Sequence, residues 1–160
     1  MDYFMLIPYN KTFTEVAEFY ATSTDGAGAQ TFLNLSKTFA RGAVAGFVFE
    51  DFMSKKLGAY SHSPQSKGFD YIHKKSGRMI ECRSFTSGRL QFSRSINLGG
   101  SRKALDGDDF VKEASSKDYI IGDMTRFAEE GVIRFIKLRG TDVAKLGPTL
   151  TKSQALALFK

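Results

Sequence analysis

Gly68-Phe69-Asp70-Tyr71-Ile72-His73-Lys74-Lys75-Ser76-Gly77-Arg78-Met79-Ile80-Glu81-Cys82-Arg83-Ser84-Phe85 is the stretch on which the fold turns. Phe69–His73 and Met79–Phe85 are rich in aromatic and branched residues and flank a Ser-Gly pair, which reads as two strands joined by a tight hairpin turn. With Ser76-Gly77 as a two-residue loop, Lys75 pairs with Arg78, Ile72 lies opposite Glu81, and Asp70 lies opposite Arg83. Strand side chains alternate between faces, so Asp70, Glu81 and Arg83 are expected on the same face of the hairpin. Two carboxylates and one cation therefore converge. Oxygen ligands of this kind suit a hard divalent ion such as Mg2+ or Mn2+, which completes its shell with water and phosphate oxygens. Such a site can neutralise charge on a phosphodiester as it is hydrolysed. The plainer alternative is an exposed ion pair on a solvated sheet, which is worth little. Against it, Glu81 sits among Met79, Ile80, Cys82 and Phe85, in a strand fit for burial, where an unpaired carboxylate is costly.

Upstream, Phe39, Ala43, Val44, Phe47, Val48, Phe52 and Met53 recur at steps of three and four, predicting a long helix over Ser36–Leu57 with Gly58 as its stop. Thr12–Tyr20 has the same periodicity in Phe13, Val16, Ala17 and Tyr20, with Thr12 and Glu15 in capping-box positions, and reads as a short amphipathic helix. Thr22–Ala29 and the polar, proline-containing Ala59–Lys67 read as loops. Downstream, Asp108–Ala114 reads as a helix, Tyr119–Met124 and Val132–Leu138 as apolar strands, and Thr151–Phe159 as a closing helix. These elements describe one α/β domain over residues 1–160, with a central mixed sheet flanked by helices. Residues 1–35 form an N-terminal brace, 36–139 the core, and 140–160 a C-terminal helix.

A formal net charge of +6 is unevenly spread. Between Tyr71 and Leu105 eight cations face a single acid, Glu81. Lys74, Lys75, Arg89, Arg94, Arg102 and Lys103 are thereby candidate contacts to the phosphate backbone of DNA. Gly99-Gly100-Ser101-Arg102-Lys103 lacks Walker spacing and reads as a loop gripping a DNA phosphate. Phe85, Phe92 and Phe110 read as core residues in preference to base-stacking ones. His62 and His73 have no zinc-ligand spacing. One cysteine, Cys82, excludes an intramolecular disulfide framework and fits a cytoplasmic location. The N-terminus has no basic start and is cut by Pro8, so neither a signal peptide nor a membrane anchor is expected.

Gly68-Phe69-Asp70, a ten-residue spacer and Ile80-Glu81-Cys82-Arg83-Ser84 together resemble the core motif of the PD-(D/E)XK, or restriction-endonuclease-like, nuclease superfamily. Gly46-Phe47-Val48-Phe49-Glu50 is similar to that family's first core helix, and the order helix, strand, strand, helix, strand from Gly42 to Arg139 follows its core. The resemblance implies metal-dependent hydrolysis of duplex or branched DNA, with Asp70 and Glu81 on the metal and Glu50 completing the site. Cutting both strands of a duplex calls for two sites, hence a homodimer. One residue departs from the pattern: Arg83 stands where the family normally carries lysine. A guanidinium stays protonated, so Arg83 can position and stabilise charge without acting as a base. In related families a residue on the following helix takes the lysine's role, and Lys103 is the candidate here. A catalytically decayed DNA-binding module on the same fold is the alternative, and an RNA nuclease or RNA-binding domain a weaker one.

Overall fold

The computed structural model describes residues 7–16, 42–57, 60–62, 70–93, 95–98, 101–104 and 107–160. Its elements are β1 (Thr12–Val16), α1 (Gly42–Ser54), β2 (Tyr60–His62), β3 (Tyr71–His73), β4 (Met79–Phe85), β5 (Leu90–Gln91), β6 (Ser95–Leu98) and β7 (Ser101–Ala104). There follow α2 (Gly107–Ser115), β8 (Asp118–Asp123), α3 (Phe127–Glu130), β9 (Val132–Arg139), α4 (Gly140–Leu146), β10 (Thr149–Leu150) and α5 (Lys152–Ala157). Six strands make one mixed sheet in the order β1-β9-β8-β4-β3-β2. Only β4 and β8 run parallel within it. A parallel neighbour requires a crossover, and α2 lies on the segment that makes it.

Alternation along the central strands divides the core in two. Ile80 and Ile120 face α1, where they meet Phe49, Met53 and Leu57. Tyr119, Ile121 and Phe85 face the opposite side, where they meet Phe110 and Ala114 of α2 and Val143 of α4. Because β8 is covered on both faces, all six of its residues are buried. Phe85, Phe92 and Phe110 are core residues, at most 3% exposed. The α/β class and the mixed sheet are as the sequence implies, as are α2, β8, β9 and α5. Thr151 caps α5 with a capping box to Gln154. Among the described residues, no helix is long and apolar enough to cross a membrane.

Five expectations need correction. Thr12–Val16 is a strand, not the start of a helix, and residues 17–20 lie outside the described residues. Its β-branched Thr12, Thr14 and Val16 suit a pleated edge, and Phe13 stacks on Phe135 of β9 at 5.3 Å between ring centroids. Tertiary pairing has overridden the local helical pattern. Within Ala59–Lys67, Tyr60–His62 forms β2 against β3, so that segment is not wholly a connection. Helix α1 spans Gly42–Ser54 and buries Ala45, Phe49 and Met53 along one stripe, whereas Phe49 and Ala45 were not in the expected apolar set. Residues 36–41 and 58, together with Thr22–Ala29, lie outside the described residues. Ser101–Ala104 is a strand paired with β6, so Arg102 and Lys103 belong to a two-stranded ribbon, Arg102 opposite Asn97 and Lys103 opposite Ile96. Residues 140–160 carry α4 and β10 as well as α5.

Candidate active site

The β3–β4 hairpin is two residues out of the register that Ser76-Gly77 suggests. His73 donates its N–H to Arg78 O at 2.8 Å, and Ile72 pairs with Met79, so the loop comprises four residues, Lys74 to Gly77. Gly77, at φ +68, supplies the left-handed residue that returns the chain to β4. The expected pairs Ile72–Glu81 and Asp70–Arg83 are replaced accordingly. A slip of two keeps every side chain on its face, however. Extending the observed register by one residue brings Asp70 beside Glu81.

Asp70 ends β3 with its side chain. Its Oδ2 accepts the Cys82 N–H at 2.7 Å, and its own N–H bonds Ile80 O at 3.0 Å. The carboxylate thus adds a side-chain bond to β4 beside the backbone bond at the start of β3. Tyr71 donates its hydroxyl to Glu50 O at 3.1 Å, which ties α1 to the same end of the hairpin. Burial, then the nearby Glu81 and, more weakly, Glu50 push the Asp70 carboxyl up to about 7, although the Cys82 N–H and Arg83 oppose the shift. The neighbouring Cys82 thiol is raised well above its ordinary value, chiefly by burial.

Glu81 is 6% exposed and holds a cation on each oxygen. Arg83 Nη2 meets Oε1 at 2.7 Å, as two positions along one strand allow. Lys117 Nζ meets Oε2 at 3.2 Å and lies 3.7 Å from Glu113 Oε1. The Lys117 side chain is only 4% exposed, and its ammonium also sits 5.6 Å from the Tyr119 ring centre. Sequence reasoning missed Lys117. The lysine expected to serve from the following segment was Lys103, which the structure places on β7, opposite Ile96 of β6. The local signal for Lys117 was its charge beside a strand with the apolar centre Tyr119-Ile120-Ile121, four residues after Glu113.

Arg83 Nε is buried and has no acceptor among the described residues. A buried N–H without a partner is costly, so this atom is a donor that can serve an oxygen from water or substrate. The other buried carboxylates of the sheet each have a cation and a hydroxyl as partners. Asp118 accepts from Tyr9 Oη and Arg78, and Asp123 from Thr125 and Arg134. Asp70 therefore stands out among them as a carboxyl crowded by like charge.

That surplus of negative charge and the all-oxygen donor set fit a hard divalent cation held by Asp70 and Glu81. Among the described residues no three of His, Cys, Asp and Glu form a complete ligand group, so such an ion would draw the rest of its shell from water and substrate. Of the expected DNA contacts, Lys74, Lys75 and Arg89 are exposed, while Arg94 lies outside the described residues. A scan of protein-family models finds none that matches this chain, and searches of curated proteins and of solved structures return no match.

Proposed function

We propose that this chain is a divalent-metal-dependent DNA endonuclease on a restriction-endonuclease-like core, hydrolysing phosphodiester bonds. The observation that carries this reading is the placement of Asp70, fixed on the Cys82 N–H beside Glu81 and short of positive charge. The order α1, β3, β4, α2, β8, with β2 between α1 and β3, supports the core that the sequence resembles. When bound, Mg2+ or Mn2+ supplies charge neutralisation at the scissile phosphate and an activated water.

The chain's own groups then have distinct tasks. Asp70 and Glu81 hold the ion. Lys117 orients Glu81 through their ion pair and is a positioning residue. Arg83, with its unpaired Nε–H, donates to a phosphate oxygen and takes the motif lysine's place by charge stabilisation. Glu50 contributes negative charge from α1. Lys74, Lys75 and Arg89, together with the β6–β7 ribbon carrying Arg102 and Lys103, meet the DNA backbone, and a two-stranded ribbon is a shape the major groove admits. Two copies would cut the two strands.

Nicking of supercoiled plasmid in Mg2+ or Mn2+, against a chelator control, tests the proposal. Asp70→Asn and Glu81→Gln are each expected to abolish cutting while retaining DNA binding, and Glu50→Gln to reduce it less. Cutting by Asp70→Asn at the wild-type rate overturns the assignment. One observation favours a decayed DNA-binding module instead: both oxygens of Glu81 already carry cations. Metal-independent DNA binding with no nicking in either metal would support that second reading, and competition between duplex DNA and RNA would separate the nucleic-acid partners.

A further inference from the structure

At the hairpin end of the sheet a cavity of about 510 Å3 opens between the β3–β4 loop, the α2–β8 junction and the β9–α4 junction. Arg78, Asp118 and Arg139 supply its charge, and Ser115 and Thr141 supply hydroxyls. The charges do not cancel. Asp118, 3% exposed, takes the Tyr9 hydroxyl at 2.7 Å and Arg78 Nε at 2.6 Å, both on Oδ2. Tyr9 itself is no counter-ion, since burial and the bond to Asp118 push its hydroxyl up to about 12. Lys117 also lines the cavity, but its ammonium is committed to Glu81.

Arg139 is left. Its guanidinium lies over the Tyr9 ring, 4.2 Å from the centroid, and among the described residues no carboxylate pairs with it. Stacking on a ring uses the face of the guanidinium and leaves the N–H donors at its rim for another partner. An exposed arginine anchored on a ring, a second arginine and two hydroxyls in the same lining form a donor set for several oxygens at once, in a space far larger than a monatomic ion needs.

We propose that this cavity is an oxyanion site that takes a phosphate group, with Arg139 as its principal donor and Arg78, Thr141 and Ser115 completing the grip. The cavity shares Lys117 with the carboxylate site but contains neither Asp70 nor Glu81, so it stands whether or not the chain cuts DNA. The phosphate has two possible sources, a strand terminus or a free phosphate.

The full chain, without divalent metal, is titrated with inorganic phosphate while backbone amide resonances are followed. Amides of Ser115, Gly140 and Thr141 are expected to shift, and Arg139→Gln to weaken binding about tenfold or more, as loss of a charge-assisted bond implies. Thr141→Val is expected to give a smaller loss and guards against a folding artefact. Two oligonucleotides of one sequence, with and without a 5′-phosphate, distinguish the sources. An Arg139-dependent preference of tenfold or more for the phosphorylated strand assigns the site to strand ends. Equal affinity for the two strands, with inorganic phosphate still bound through Arg139, assigns it to free phosphate. Phosphate that shifts no amide around the cavity, or that binds Arg139→Gln as it binds wild type, overturns the proposal. Because the titration contains no metal, an absence of metal-dependent cutting leaves its outcome untouched.

Discussion

Asp70→Asn is expected to abolish metal-dependent cutting and, above neutral pH, to stabilise the fold. In the folded protein the carboxyl is pushed up to about 7, first by burial and then by Glu81, whereas in the unfolded chain it ionises near the ordinary value of about 3.9. Between those values the folded state keeps a proton that the unfolded state has lost. Stability is therefore fully present below about pH 4 and falls as pH rises towards 7, at about 1.4 kcal/mol per unit, for a total on the order of 4 kcal/mol. Asparagine is neutral and nearly isosteric, and its side-chain oxygen can still accept the Cys82 N–H. It removes the ionisation while keeping the bond. Urea denaturation from about pH 4 to about pH 9 should show wild type losing stability that the variant keeps, with a gap of several kcal/mol at the alkaline end. Millimolar Mg2+ at the alkaline end should raise the wild-type midpoint and leave the variant's unchanged. Parallel pH curves for the two proteins would refute the argument.

Arg83→Ala should lower the cutting rate about a hundredfold to a thousandfold with little loss of DNA affinity, as measured by single-turnover cleavage and filter binding, and Arg83→Lys should retain activity. Lys117→Met should cost on the order of 3 kcal/mol in urea denaturation because it strips one of two cations from buried Glu81, and combining it with Glu81→Gln should cost less than the sum of the singles. Gly140→Ala should destabilise the fold and broaden the amide resonance of Lys117, because a Cβ there would sit 1.9 Å from the carbonyl oxygens of both Ala114 and Lys117. DNA affinity should fall steeply with salt, and neutralising Lys74, Lys75 or Arg89 should each reduce the logarithmic slope by about one; a slope unchanged in all three would remove them from the interface.

What the sequence discloses depends on how local its cause is. Strands β8 and β9 are legible because burial on both faces demands runs such as Tyr119-Ile120-Ile121 and Val132-Ile133, and no competing local pattern contradicts them. The face shared by Asp70, Glu81 and Arg83 is legible even with the wrong loop length, since alternation depends only on the parity of the slip. Thr12–Val16 is misleading because its capping-box pattern is local whereas the stacking of Phe13 on Phe135 is not. Lys117 is hidden for a related reason: its partner Glu81 lies 36 residues earlier. Only the parallel β4–β8 pairing, Glu81 beside Tyr119, brings them together. No periodicity encodes the register of a crossover.

That pairing also sets the charge of the site. Around Glu81 and Asp70 stand Glu50 and Glu113, with Arg83 and Lys117 as the cations, so the cluster carries four formal negative charges against two positive. Arg83 and Lys117 both attach to Glu81, and this leaves the excess on the side of Asp70, the carboxyl that is pushed up. A proton on Asp70 removes one unit of the excess, whereas a divalent cation removes both. On the proposed reading, proton and metal would compete for one carboxylate, and the ion would gain the advantage as pH rises through the value at which Asp70 ionises. On that reading, the crowding expected to make the fold less stable at alkaline pH would also favour a divalent ion there, with the Arg83 Nε–H as a donor for the phosphate oxygen such an ion would bring.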